Sequence, residues 1–165
     1  MNNSNSIKDR EVAFENIIKR YSLLITKVCY YFSTDTSELK DLRQDVLLNI
    51  WAGIPKFNNN AKLSTWIYRI CFNTCITYKR KNKNKKSNIT LSEVLEIADD
   101  SFDIEKYKEM HRLINQLGSE ERSIILMWLD ENSYEEIAEV VGIKRNTVAT
   151  KLKRIKEKLV KLSNE

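Results

Sequence analysis

YEEIAEVVGIKRNTVATKLKR, residues 134–154, has the spacing of two helices folded back on each other. Ile137 and Val141 fall on one helical face, and small Ala138 lets a second helix cross closely. Gly142 stands where the chain must turn, with a backbone expected at positive φ. Ile143 and Val148 seal the pair, and Leu152, Ile155, Leu159 and Leu162 continue the apolar stripe at helical steps. Lys144, Arg145, Asn146, Thr147, Ala149, Thr150, Lys151, Lys153 and Arg154 are left near the other side. Such a helix can enter a major groove, its first residues at base edges and its later cations on phosphates. A helical hairpin that is merely structural, with a basic face, is the competing reading. The spacing of Ala, Gly and Val within this polar sequence favours DNA reading.

The rest of the chain agrees with an all-α fold of two small helical modules on a flexible tether, the second holding the helix-turn-helix. The 165 residues include only three glycines and one proline, too few turn signals for an all-β fold. At 42% hydrophobic and 31% charged residues, a core and a heavily ionised surface are both available. The net charge of +5 is unevenly spread. KRKNKNKK (79–86) holds six cations and no acid, LSEVLEIADDSFDIEKYKE (91–109) holds seven acids and two lysines, and KRNTVATKLKRIKEKLVK (144–161) is basic again. A basic–acidic–basic order points to two polyanion-facing modules joined by an acidic tether. The expected boundaries are 1–81 for the first module, 82–106 for the tether and 107–165 for the second. A short helix around Leu91–Ala98 is expected within the tether.

In the first module, helical spacing is read from near Val12 through Phe14, Ile17, Ile18, Tyr21, Leu24, Ile25 and Val28 towards Phe32. Ser37 or a nearby threonine is the expected cap of the next helix, DLRQDVLLNIW (41–51). There Leu42, Val46, Leu47, Ile50 and Trp51 gather on one side, while Leu48 falls among Asp41, Gln44, Asp45 and Asn49. By itself that second face is either solvated or a docking surface. The loop IPKFNNNAKLS follows, and LSTWIYRICFNTCITYKRK restarts helicity with Ser64 as expected cap. Trp66 lies on the apolar stripe with Ile70 and reads as core. In the second module Gly118 is expected to break a helix and Ser119 to cap the next, with Glu120 and Glu121 at its positive end.

In these motifs the chain resembles bacterial RNA polymerase sigma factors of the extracytoplasmic-function (ECF) group. FENIIKRY, DLRQDVLLNIW and LSTWIYRICFNTCITYKRK stand in that family's order, followed by an Arg122-bearing helix, YEEIAEVVGI and TVATKLKRIKEKL. The resemblance covers about four-fifths of the chain, and the motifs in order are far more specific than any one alone. It implies a subunit that binds core RNA polymerase through its clamp coiled coil and flap and directs it to promoter DNA. It further implies help in melting the −10 element, and an anti-sigma partner that is commonly membrane-anchored. Asp41, Gln44, Asp45, Leu48 and Asn49 would form the clamp-docking face, acids around an apolar anchor. The loop and the helix after it correspond to the −10-reading segment, with Asn58, Asn59, Asn60 and Asn73 as amide readers. Phe57 and Tyr68 offer stacking, and Lys56, Lys62, Arg69, Lys79, Arg80 and Lys81 can line a phosphate path. Lys144, Arg145, Asn146, Thr147, Thr150, Lys151, Lys153 and Arg154 would meet the −35 duplex.

Four positions depart from the family pattern. Arg43 replaces a common apolar residue and is expected to snorkel past the bundle edge. Gly118 stands where proline is usual, Thr77 where an acid is common, and Lys144 where serine often caps the recognition helix; lysine cannot accept the backbone N–H bonds.

A stand-alone helix-turn-helix regulator is the alternative reading, and it leaves the docking helix and the Asn-rich loop unexplained. An enzyme is not expected. His111 is the single histidine, no Gly-rich phosphate loop is present, and the acids follow helix surfaces. Cys71 and Cys75 lie one turn apart with no second pair nearby, so they read as small core residues; neither metal nor cofactor is expected. Three cysteines form no paired framework and fit a reducing cytoplasm, with no apolar run of membrane-spanning length.

Overall fold

The computed structural model describes residues 2–82 and 104–165. The expected helix around Leu91–Ala98 lies outside the described residues. The chain divides into two compact units, residues 1–102 and 103–165. Among the described residues every regular element is helical.

The first unit is a three-helix bundle. α1 (Asn2–Phe32) packs on α2 (Thr36–Gly53), a 3₁₀ turn spans Ile54–Lys56, and α3 (Leu63–Lys81) closes the bundle. α1 starts well ahead of Val12. Arg10 accounts for part of the extension: its Nε donates to the Trp51 carbonyl at 3.0 Å, and its guanidinium lies 4.1 Å from the Trp51 ring centre. Phe14 meets the same ring edge-on. Ile25, Val28 and Phe32 of α1 meet Leu39, Leu42, Val46 and Ile50 of α2, and Ile67, Cys71 and Cys75 of α3, in a fully buried core. Burying each large aliphatic side chain contributes about 1.5–3 kcal/mol. Cys29, Cys71 and Cys75 are buried, and burial pushes the Cys71 and Cys75 thiols up.

The N-cap of α2 is Asp35, not Ser37 or a threonine: its carboxylate accepts from the Glu38 N–H at 2.7 Å. An ionised acceptor at a helix's positive end is favoured there. Ser64 does not cap α3 either. It lies inside the helix, and Lys62 is the N-cap without a side-chain bond.

The second unit holds α4 (Ile104–Ile114), α5 (Ser119–Leu129), α6 (Tyr134–Val141) and α7 (Arg145–Ser163). α4 begins ahead of the expected start at Tyr107. Gly118 rather than Ser119 is the N-cap of α5, and the Glu121 carboxylate accepts the Gly118 N–H at 3.1 Å. Arg122 is buried, and its Nη2 donates to the carbonyls of Asn115 and Leu117 at 2.9 and 3.0 Å. It thus satisfies carbonyls left over where α4 ends. Ser133 caps α6 by accepting from the Glu136 N–H, while Glu136 accepts from the Ser133 N–H. Gly142 ends α6 at φ 80°, as its place in the turn requires. Ile137, Val148, Leu152 and Ile155 are buried beneath the pair.

Candidate functional site

The face of α2 opposite its buried stripe carries Asp41, Gln44, Asp45, Leu48 and Asn49, all exposed. Leu48 is 59% exposed, an apolar side chain held out among acids. Asn49 Nδ2 donates to Thr74 Oγ1 at 2.9 Å, and the Thr74 hydroxyl donates to the Ile70 carbonyl, so this face is tied to α3. Between the two helices runs a groove of about 520 Å³, lined by Asp45, Leu48 and Asn49 with Asn73, Thr77 and Lys81 opposite. The Tyr78 hydroxyl beside it is raised by burial and by the carboxylates of Glu38, Asp41, Asp35 and Asp45. The carboxylates of Asp41 and Asp45 thus stand near this end of the groove. Arg43 turns away from it: Nε donates to Thr26 Oγ1 and Nη2 to Ser22 Oγ, at 3.1 and 3.2 Å. Two hydroxyls on α1 hold the head group, so it is anchored to the bundle instead of running past its edge.

The loop after α2 is compact. Phe57 N–H donates to the Ile54 carbonyl, and the ring packs 4.9 Å from Trp66. Both rings help line a cavity of about 280 Å³ against Ile17 and Tyr21 of α1. Gly53 makes this possible, since a Cβ there would stand 2.8 Å from the Trp66 ring. Asn58 Oδ1 accepts from the Asn60 N–H at 3.2 Å, and Asn59 takes φ 58°, which asparagine tolerates. Asn58, Asn59 and Asn60 are exposed, as are Lys56 and Lys62.

On α3 the expected reading residues separate. Arg69, Asn73 and Arg80 recur at helical spacing along one edge, with Asn73 and Arg80 exposed. Lys81 faces the groove beside α2. Two of the expected residues are placed inside the bundle. Tyr68 is only 3% exposed and stacks on Phe72 with ring centres 5.7 Å apart, so its ring has no face for a base. Lys79 Nζ lies 3.0 Å from Glu38 Oε2, and the same oxygen accepts from the Thr34 N–H and hydroxyl. Its charge is spent inside the bundle, because a buried carboxylate needs a partner.

On the second unit, Lys144 is the N-cap of α7, without a side-chain cap bond, and Arg145 is its first residue. Arg145, Asn146, Thr150, Lys153 and Arg154 are exposed; Thr147 and Lys151 are half-buried. Thr150 donates its hydroxyl to the Asn146 carbonyl. Lys151 Nζ pairs with Glu120 Oε1 at 2.9 Å, and Arg145 Nε donates to Glu135 Oε1. Sequence reasoning placed Glu120 only at its helix's positive end, without its Lys151 partner, and missed Glu135. Each sits in the first turn of a helix, where acids are usual, and nothing in that placement names a partner on α7.

Among the described residues no group of His, Cys, Asp and Glu could hold a metal ion, and no helix is long and apolar enough to cross a membrane. The arrangement is one of recognition surfaces: an acidic face with an apolar anchor, an amide-rich loop, and a basic helix presented by a turn.

Those features define a two-module helical DNA-binding protein. Residues 17–85 match the family described as Sigma-70 region 2, and residues 107–159 match Sigma-70, region 4. The ECF RNA polymerase sigma factor SigW of Bacillus subtilis is 29% identical over 170 residues, covering 93% of this chain and 90% of SigW. The ECF sigma factor SigM of Mycobacterium tuberculosis is 24% identical, over 91% of this chain and 76% of SigM. Among solved structures, the sigma factor RpoE of Bartonella quintana, in complex with the anti-sigma factor NepR, superposes with a TM-score of 0.73 at 19% identity. It covers 92% of this chain and 97% of RpoE. CnrH in complex with the cytosolic domain of CnrY gives 0.69 at 20% identity, over 93% and 89%. The chain belongs to the sigma-70 family of RNA polymerase sigma factors, in its ECF group. It is a promoter-directing subunit that binds core RNA polymerase and promoter DNA. The match at residues 17–85 disfavours the stand-alone regulator, which has no use for that module.

Proposed function

We propose that the surfaces divide the work of initiation. Asp41, Gln44, Asp45, Leu48 and Asn49 dock on the polymerase clamp coiled coil. The observation that carries this is Leu48, 59% exposed inside an acidic face that borders a groove. Acids meet a basic partner helix while Leu48 fills a dry centre. Asn58–Asn60, with Asn73, Lys56, Lys62, Arg69, Arg80 and Lys81, engage the unpaired −10 strand, and Phe57 shapes the loop's underside. The chain helps to melt that element without ATP, because a base held out of the stack favours strand separation. α7 reads the −35 duplex, and the second module also meets the flap. Residues 1–81 and 107–165 are the working modules and 82–106 their tether. The chain works in the cytoplasm, catalyses no reaction itself and needs no cofactor. The structural neighbour RpoE is in complex with the anti-sigma factor NepR, which supports an anti-sigma factor here too.

Run-off transcription with core polymerase on a random promoter library tests the reading. Transcripts should arise only when chain and core are combined, and enriched promoters should share two sequence blocks. Promoter duplex bound equally well by the chain alone, with no dependence on core, would overturn it in favour of a regulator.

A further inference from the structure

The opening residues of α6 grip the opening residue of α7. Glu135 Oε1 accepts from Arg145 Nε, and the guanidinium lies 5.6 Å from the centre of the Tyr134 ring. One planar group is thus held by an edge and over a face from the preceding helix. A bond through Nε leaves the two Nη groups as a fork on the guanidinium's far end. Arg145 has reason to need holding. It starts a helix, where the dipole disfavours a cation, and Lys144 before it gives no side-chain cap bond. Glu135 sits at the favoured end of α6, and its carboxyl is held below the usual range by the Arg145 bond and by a backbone hydrogen bond. Both side chains are more than half exposed, so the pair contributes little to folding. Its consequence is orientation.

We propose that Glu135 is a positioning residue for promoter reading, fixing the plane of Arg145 so that its Nη fork meets O6 and N7 of a guanine in the major groove. This rests on the assignment of Arg145 to the −35 duplex. A guanidinium fixed in one plane loses less conformational freedom on forming the bidentate pair. Glu135 also opposes loose association, since a carboxylate beside the groove repels phosphates. Selectivity and indiscriminate affinity should therefore move in opposite directions when it is removed. A pair that only stabilised the fold would move both together or neither.

The test uses holoenzyme assembled from the full chain and core polymerase, with wild type, Glu135→Ala, Glu135→Gln, Arg145→Ala and the Glu135→Ala/Arg145→Ala double variant. Binding is measured to a promoter duplex, to its base-substituted series across the −35 block and to a scrambled duplex. Glu135→Ala should lower the promoter-to-scrambled ratio about tenfold, the scale of one bidentate contact, at a single guanine position. Affinity for scrambled duplex should rise. Glu135→Gln should keep most of the selectivity, because its amide oxygen still accepts from Nε. In the Arg145→Ala background, Glu135→Ala should change the ratio no further. Equal losses in both backgrounds, or no loss from Glu135→Ala where Arg145→Ala lowers the ratio, overturn the positioning role alone. An Arg145→Ala variant with unchanged selectivity overturns the assignment of Arg145 and the positioning role together.

Discussion

Leu48 shows how much one side chain can say. An exposed leucine alone is ordinary on a protein surface, but one ringed by Asp41, Gln44, Asp45 and Asn49 has the make-up of an interface centre. Replacing Leu48 with Asp, or Asp45 with Lys, should weaken assembly with core polymerase by about 2 kcal/mol or more while leaving helicity intact. Co-purification of both variants at wild-type levels would remove the docking assignment. Tyr68 gives the opposite lesson. Its ring is in the core against Phe72, so Tyr68→Ala should cost stability, about 3–5 kcal/mol as for other large aromatic truncations. Urea unfolding reads the loss. A Tyr68→Ala chain that unfolds like wild type yet fails to open promoters would return Tyr68 to the DNA surface.

At the scale of elements, the proposed reading of the −35 duplex divides α7 into a reading end and a holding end. Arg145 stands at the start, whereas Lys153 is exposed on a later turn. Arg145→Ala should relax preference at one −35 position, with a loss of about 1–3 kcal/mol. Lys153→Ala should weaken binding evenly across sequences and flatten the salt slope by about one unit. A promoter-variant binding series at several salt concentrations checks both; exchanged effects would mean the other end of α7 reads. The turns that join helices carry separable costs. Gly142 has open space around its missing Cβ, so Gly142→Ala meets only the left-handed backbone penalty of about 1–2 kcal/mol. Gly53→Ala instead drives a Cβ into the Trp66 ring, an overpacking cost of about 1–3 kcal/mol. Thermal melts should show both losses, with a tryptophan fluorescence change only for Gly53→Ala.

Promoter opening belongs to the whole molecule, since on the proposed reading it requires polymerase, upstream grip and a reading loop at once. Asn58, Asn59 and Asn60 are exposed on a loop held from beneath by Phe57 and Trp66. Changing all three to alanine should leave polymerase assembly and −35 binding nearly unchanged while open-complex formation falls. An extruded base would lose its hydrogen-bond partners, and unstacking costs a few kcal/mol. A template with a pre-melted bubble should recover opening but not base preference. Permanganate footprinting on both templates decides it: normal opening of the closed promoter, with preference unchanged at every −10 position, would leave the asparagines as solvated filler.

Periodicity by itself determined the all-α class, the stripes that pack Leu42, Val46 and Ile50, and the turn at Gly142, because burying one face of a helix leaves a local pattern of three and four. It also exposed Leu48 as an outlier, since the misfit is visible within one helix. It could not place residues whose partners lie far along the chain. Lys79 reads as one more cation in a basic run until folding sets it on Glu38, 41 residues away. Ser37 is a fair cap on paper, and only the path of the chain out of α1 puts Asp35 in that place instead. Tyr68 was a stacking candidate until the packing of three helices turned it onto Phe72. The Glu135–Arg145 pair likewise exists only once the turn brings two helix starts together. Local sequence sets which faces of a helix can be buried; closing the bundle settles which of them are, because burial and charge pairing are properties of contacts between helices.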